Sequence, residues 1–313
     1  MQAPHIPVLF SQTIAAFSQL EDGYVIDCTL GYGGHSEGIL TANPRLKLIA
    51  CDRDAEAIEF SRERLGKFKD CIEIHKAKFS EILKILPEQK LRAVRGILAD
   101  IGVSSLQLDK NERGFGLKSE NLDMRMDAQA KFSAYDVVNF YSAKELEHIF
   151  ADYGELPNPA KFAAKIIEVR QSSEIKSAER LAQIIGLKGV NGRSVSAATL
   201  AFQAIRIEVN NELGELQNLL QSIEDSQINE CVVAIISFHS LEDRIVKNKF
   251  RQWAQGCICP PQALRCTCGG DNALGKMVSK KAITPSTAEV KANPRSSCAK
   301  MRIFKISRGK NAR

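Results

Sequence analysis

Three aspartates, Asp27, Asp52 and Asp100, each close an apolar, β-prone run, and these carboxylates are the chain's best candidates for chemistry. Asp27 stands directly before a glycine-rich turn in VIDCTLGYGGHSEGIL, Val25 to Leu40. Gly31-Tyr32-Gly33-Gly34-His35-Ser36 nearly fits the G-x-G-x-x-G that follows the first strand of a dinucleotide fold, with serine in the third glycine's place. A carboxylate at the mouth of such a turn repels a pyrophosphate and attracts a cation, such as the ammonium of a methionine moiety. Asp52 lies about twenty residues beyond the turn, where an acid accepts from ribose hydroxyls. Phe79, after the third run, could flank an adenine. Asp100 ends the fourth run, at the edge where ligands sit in open α/β sheets. Together these residues fit S-adenosylmethionine better than a nicotinamide dinucleotide. The plainer alternatives are a tight turn for the glycines and surface capping for the acids.

The elements that must position these groups alternate through the first hundred residues. Strands are predicted at Tyr24–Cys28, Leu46–Cys51, Cys71–His75 and Gly96–Ile101, with helices near His35, over Asp54–Leu65 and over Phe79–Leu86. Such alternation implies parallel βαβ units. From about Ser105 to Leu213 helical patterns replace strands: Ala143–Tyr153, Pro159–Arg170, Ser177–Ile185 and one long run, Val195–Leu220, which reads either as a core helix of the insertion or as one that displays Arg206, Asn210 and Asn211 on its surface. A strand at Cys231–Phe238, a helix at Leu241–Trp253 and two β-prone runs, Met277–Ile283 and Met301–Ile306, close the chain. The reading is an α/β domain (1–104 and 214–313) interrupted by a helical insertion (105–213).

Bulk properties narrow the class. Apolar residues make up 44% and charged residues 26% of the 313, as in a globular protein with a real core. The N-terminal MQAPHIPVLFSQ lacks the pattern of a signal peptide, and the longest apolar run, CVVAII, is too short to cross a bilayer. Nine cysteines, several inside predicted core strands, imply reduced thiols and a cytoplasmic location. Lys276–Arg313 holds eleven Lys/Arg and one acid, about +10, which leaves about −4 for the rest of a chain of net charge +6. That segment is either a solvated face or a phosphate-binding patch.

Several motifs carry two readings. Cys257, Cys259, Cys266 and Cys268 form C-x-C-x6-C-x-C; four thiolates can bind zinc, but structural zinc sites favour C-x2-C, so the expectation is no metal. In SFHSLEDR, Ser240 reads as a helix N-cap with Glu242 and Asp243 in the first turn, and His239, just before it, as a cap neighbour or a substrate contact. Leu122-Asp123-Met124-Arg125-Met126 is an ordinary loop or a flap over a bound base.

Eight blocks in order, HIPVL (5–9), DCTLGYGGHS (27–36), CDRD (51–54), DIGVSSLQLDKNERGFG (100–116), LDMRMD (122–127), FQAIRIEVNNEL (202–213), SFHSLEDRIVK (237–247) and NPRSSCAKMR (293–302), closely resemble the RsmH, or MraW, family of 16S rRNA cytosine-N4 methyltransferases. The resemblance implies a class I S-adenosylmethionine-dependent methyltransferase fold, Rossmann-like with a mostly parallel sheet, carrying a helical substrate-recognition insertion. It also implies methylation of a cytosine (1402 in the usual rRNA numbering) in the decoding region of 16S rRNA within the small ribosomal subunit. By motif, cofactor contacts fall on Gly33, Gly34, His35, Asp52, Phe79, Asp100 and Gln107, of which His35 and Gln107 come from the resemblance alone. Departures include Gly116-Leu117 after RGF and Ser297-Cys298 near the end, and these bear on RNA contact.

A cytosine amine is a poor nucleophile and needs acceptors for its hydrogens and alignment with the sulfonium methyl, but no metal. Asp100, Ser104 and His239 are the candidates, with Asp100 either amine acceptor or cofactor anchor. A methyltransferase for another substrate, a non-catalytic assembly factor that keeps the pocket and a nicotinamide dehydrogenase are the remaining alternatives.

Overall fold

The computed structural model of the chain describes residues 7–103, 107–108, 110–190, 195–260, 262–263 and 265–308. Two compact units emerge, residues 1–102 with 215–313, and residues 103–214.

The first unit is built on a seven-stranded sheet among the described residues, in the order β3-β2-β1-β4-β5-β7-β6. β1 (Gly23–Asp27), β2 (Leu46–Asp52), β3 (Ile72–Lys76), β4 (Val94–Asp100) and β5 (Glu230–Ser237) pair in parallel. β7 (Lys300–Ser307) runs antiparallel to both β5 and the short β6 (Gly275–Met277). Strands covered on both faces need apolar residues at every position, and alternation then divides them between two cores. Ile26, Ile49, Cys51, Ile97, Ala99, Val233 and Ile235 enter one core, while Val25, Leu48, Ala50, Leu98, Ala234 and Ile236 enter the other. The first core is closed by Leu216, Leu219, Leu220 and Ile223, and by Phe250 and Trp253, whose rings stack at 5.3 Å. Phe17, Ile39 and Leu40 close the second.

From β1 the chain passes outward to β2 and β3, then returns to β4 and β5 on the other side. The loops after β1 and β4 therefore diverge and leave a crevice at the carboxyl ends of these two strands, the place where open α/β sheets take ligands. Asp27, Asp52 and Asp100 are the last residues of β1, β2 and β4.

Three local readings are corrected. A helix α1 (Phe10–Phe17) precedes β1, started by Leu9 in the left-handed region (φ 53°) and without a side-chain cap to announce it. The β-prone run at Met277–Ile283 is strand only to Met277, because Ser279 turns back to bond the Lys281 carbonyl; Ile283 keeps one bridge to Met301. The long run Val195–Leu220 is two helices, Ala197–Asn210 and Glu212–Asp225, broken at Asn211 (φ 49°). Asparagine tolerates that conformation, and the 3.6-residue apolar period continues across it, so periodicity alone does not show the break.

The second unit is helical: Ala134–Phe140, Ala143–Asp152, Pro159–Ser172, Ala178–Ile185 and Ala197–Asn210 surround a core that includes Val137, Leu146, Phe150, Ile166, Leu181 and Ile205. Ser133 with Asp136, and Ser142 with Glu145, form capping boxes that satisfy first-turn amides. Met124 and Met126 are core residues of this unit, so they are not a flap, and Arg125 pairs with Asp123. Asn210 is buried rather than displayed: its side chain accepts from the Met126 amide (2.8 Å) and donates to the Met124 carbonyl (2.8 Å). Arg206 likewise lies against Glu212 through two bonds of 2.8 and 2.9 Å. No helix among the described residues is long and apolar enough to cross a membrane.

Asn210→Ala leaves both loop backbone groups without their partner, and the expected loss is about 2–3 kcal/mol in a urea unfolding experiment. A loss under about 0.5 kcal/mol would show that the side chain is not holding the loop.

Candidate functional site

The turn after β1 is organised by the carboxylates around it. Asp27 lies beneath the loop, only 1% exposed, rather than at its mouth. Its oxygens accept from the Ser36 hydroxyl (2.6 Å) and the Thr29 amide (3.1 Å). Asp52 accepts from the Gly31 amide (2.8 Å) and the Asp54 amide (2.9 Å). The Leu30 amide bonds to the Cys51 carbonyl and the Gly33 amide to the Leu30 carbonyl. The amides of Thr29, Leu30, Gly31 and Gly33, which a pyrophosphate loop would keep for phosphate, are therefore already committed.

From the side, the helix Ala55–Arg64 grips the turn: Ser61 donates to the Gly31 carbonyl (2.7 Å) and Arg64 to the Tyr32 carbonyl (3.0 Å). Gly33 caps the next helix, Gly34–Ala42, with φ 72°, and a Cβ there would meet Leu65 at 3.0 Å, so both conformation and space call for glycine. Gly34 opens that helix, where a Cβ would lie 2.5 Å from Pro7.

That helix brings His35 to Asp100. The imidazole is 7% exposed, stacks on Phe10 at 6.1 Å, and holds Nε2 3.5 Å from Asp100 Oδ2. Neither ring nitrogen, nor the buried Asp100 Oδ1, has a hydrogen-bond partner among the described residues. The Asp100 amide donates to Thr29 Oγ1 (2.7 Å), which ties the end of β4 to the β1 turn. Beyond it, Gly102 (φ 146°) packs on Phe238, whose ring a Cβ would reach at 3.0 Å.

Phe79 is 8% exposed and packs in the core with Ile49, Cys51 and Ile82, so little of its ring is open to a ligand. Gln107 lies in the second unit, and Ser104 lies outside the described residues. His239, not Ser240, is the N-cap of the helix Ser240–Trp253. Its neighbour Glu242 is fully buried and accepts from the Phe238 amide (2.8 Å), with His239 Nε2 3.1 Å from the other carboxylate oxygen. Asp243 is taken by Arg302 in a two-point pair (2.6 and 3.1 Å).

The basic end of the chain is thus of mixed use. Arg302 is an ion-pair partner and Arg308 bonds the Ile223 carbonyl (3.1 Å), whereas Lys276, Lys280, Lys281, Lys291 and Lys305 are exposed.

Residues 2–307 match the MraW methylase family. The chain belongs to that family. The relative in Campylobacter curvus, named Ribosomal RNA small subunit methyltransferase H, is 61% identical over 98% of this chain and 99% of its own length. Relatives of the same name in Campylobacter lari and Campylobacter fetus are 57% and 54% identical, over 97% and 98% of this chain and 99% of theirs. Family membership makes this an S-adenosylmethionine-dependent methyltransferase on a class I, Rossmann-like sheet.

The site's residues fit that cofactor. An orphaned carboxylate oxygen and two orphaned imidazole nitrogens offer acceptors and a donor to a polar ligand, and each Asp52 oxygen keeps a second lone pair after accepting its backbone amide.

Burial raises the carboxyls of Asp27 and Asp52 above the ordinary 3.8, against the pull of the Ser36 hydroxyl on Asp27 and of backbone amides on both. A folded carboxyl that holds its proton more tightly than the unfolded chain makes stability fall as pH rises from 3.8 through the raised value. Asp27→Asn removes this dependence. The stability of the wild type minus that of the variant should fall as pH rises from about 4 to 7 in urea titrations of the ligand-free protein. A flat or rising difference would contradict the assigned direction.

Proposed function

We propose that this chain methylates the exocyclic N4 of a cytosine in 16S rRNA, position 1402 of the decoding region, within the small ribosomal subunit in the cytoplasm. The buried, unpartnered Asp100 Oδ1 beside His35 at the end of β4 carries the reading at the site. The relatives' shared name supports small-subunit ribosomal RNA as the substrate, and the motif resemblance supports the cytosine N4.

When bound, S-adenosylmethionine supplies an electrophilic methyl group on a sulfonium. Asp52 accepts from the ribose hydroxyls with its remaining lone pairs, and Phe79 flanks the adenine. Gly33 and Gly34 allow backbone approach at the amino-acid end, and the motif resemblance assigns His35 and Gln107 to further cofactor contacts. Asp27 acts from below, holding Ser36 and Thr29, and through Thr29 it fixes the end of β4.

Asp100 accepts a hydrogen from the cytosine amine or from the cofactor. As amine acceptor it would favour the pyramidal nitrogen whose lone pair can attack, would stabilise the positive charge that develops on that nitrogen as the N–C bond forms and the S–C bond breaks, and would receive the proton the amine gives up. Ser104 and His239, just beyond β4 and β5 in sequence, are assigned to orienting the cytosine. Such a base must be splayed from its stack to reach a crevice of this kind. The insertion, residues 105–213, is assigned to substrate recognition, with the exposed lysines of the C-terminal segment meeting phosphates.

The direct test is transfer of a labelled methyl group from S-adenosylmethionine to small subunits lacking the native modification, beside protein-free 16S rRNA, with the product nucleoside identified. Label in N4-methylcytosine, lost in Asp100→Ala, is the expected result; no transfer to either acceptor would sink the ribosomal assignment. Asp52→Ala should weaken S-adenosylmethionine binding by about 10- to 100-fold in calorimetry, the loss of charge-assisted bonds worth about 1.5–3 kcal/mol. An unchanged affinity would remove Asp52 from the cofactor site.

A further inference from the structure

Between the helix Ser240–Trp253 and β6, residues 257–268 form a segment in which every described residue is exposed or half-exposed. No apolar core holds its described residues, and Ile258 is itself 63% exposed. Yet the sulfurs of Cys257, Cys259, Cys266 and Cys268 all lie within 4.8 Å of one another. The distances Cys257–Cys266, Cys266–Cys268 and Cys257–Cys268 are 3.6, 3.6 and 3.7 Å. These are far longer than the ~2.05 Å of a disulfide, but close to the ~3.8 Å edge of a tetrahedron whose centre is a metal at ~2.3 Å from each sulfur.

The backbone is shaped to keep them there. The Ile258 amide donates to Cys268 Sγ (3.3 Å) and the Thr267 amide to Cys259 Sγ (3.2 Å), a reciprocal pair that crosses between the two Cys-x-Cys arms. Amide donation to sulfur favours the thiolate, the form that binds metal. Gly269 (φ 81°) and Gly270 (φ 80°) then turn the chain back, so that a Cβ on Gly256 would lie 2.4 Å from the Gly270 carbonyl. Asn272 closes the base by donating to the carbonyls of Gly256 (3.0 Å) and Cys268 (3.1 Å). The one-residue spacing, which argues against zinc when read alone, is accommodated because each arm contributes two sulfurs to a shared centre.

We propose that these four cysteines bind one zinc ion as a closed structural site. Four soft thiolates in tetrahedral array select zinc over harder divalent ions, and leave no open position for catalysis. The ion takes the place of a hydrophobic core in this segment, which is independent of the methyl-transfer site.

The full-length protein, purified under reducing conditions, should contain one zinc per chain by atomic emission. The metal-free protein, titrated with cobalt, should develop a thiolate-to-cobalt charge-transfer band that saturates at one equivalent. Cys257→Ser/Cys266→Ser should lose both signals while a Cys298→Ser control keeps them. Limited proteolysis of the wild type between residues 257 and 268 should quicken at least tenfold on chelation. The absence of a charge-transfer band, zinc retained in the double variant, or a mass showing two native disulfides would each overturn the assignment. The cobalt titration needs no variant, so a variant that fails to fold leaves the test intact.

Discussion

The first unit depends on one constraint: carboxylates at the carboxyl ends of adjacent strands must be kept satisfied where water is scarce. The structure meets it with backbone. Asp52 and Asp27 draw on the amides of Gly31, Asp54 and Thr29, and the Thr29 hydroxyl oxygen in turn accepts from the amide of Asp100. The β1 turn is thus a set of donors already aimed at acids, and its shape follows from them. A turn wired this way has few amides left for a phosphate and leaves its unmet needs elsewhere, on His35 and on Asp100 Oδ1. Buried polar atoms without partners are costly, about 1–3 kcal/mol each. Three such atoms, on His35 and Asp100, meet where β1 and β4 diverge, and a ligand placed there could give them partners.

The sheet makes that constraint tolerable by making the rest of the unit apolar. Every strand residue that divides between the two cores fixes the register, since a slip by one would exchange the faces of Ile26, Ile49, Ile97 and Val233 with those of Val25, Leu48, Leu98 and Ala234. Register in turn fixes which residue is last. The acids align at one edge because β1, β2 and β4 pair in parallel with Asp27 opposite Ala50 and Leu98, and Asp52 opposite Lys76.

Much of this was legible in the sequence, for physical reasons. β-Branched runs bounded by acids or turn residues give strands to within a residue or two, and two-sided burial shows as uninterrupted apolar stretches. What was not legible depended on conformations that leave no periodic trace. Leu9 starts a helix from the left-handed region without a cap, and Asn211 stops one while the apolar period runs on. The depth of a side chain is equally hidden. Asp27 and Asn210 read as surface groups because their types favour water, yet each is buried by bonds that only the folded chain supplies. His239 read as a residue before the cap, but it is itself the cap: its Nδ1 accepts from the Glu242 amide, and the Glu242 carboxylate accepts in return from the His239 amide.

The cysteines show how far composition alone can carry such a reading. An odd number with several in core strands argues for reduced thiols, and Cys28, Cys51 and Cys231 are indeed buried and free, their thiols pushed up by burial and so kept unreactive. That argument treats all nine as one population. The four of the C-terminal segment lie outside any core, and burial cannot explain why their sulfurs converge. Burying apolar surface gathers residues into a core, whereas here exposed side chains gather around a point and backbone amides face the sulfurs. A count of cysteines says which redox state to expect; only their arrangement distinguishes small core residues from ligands.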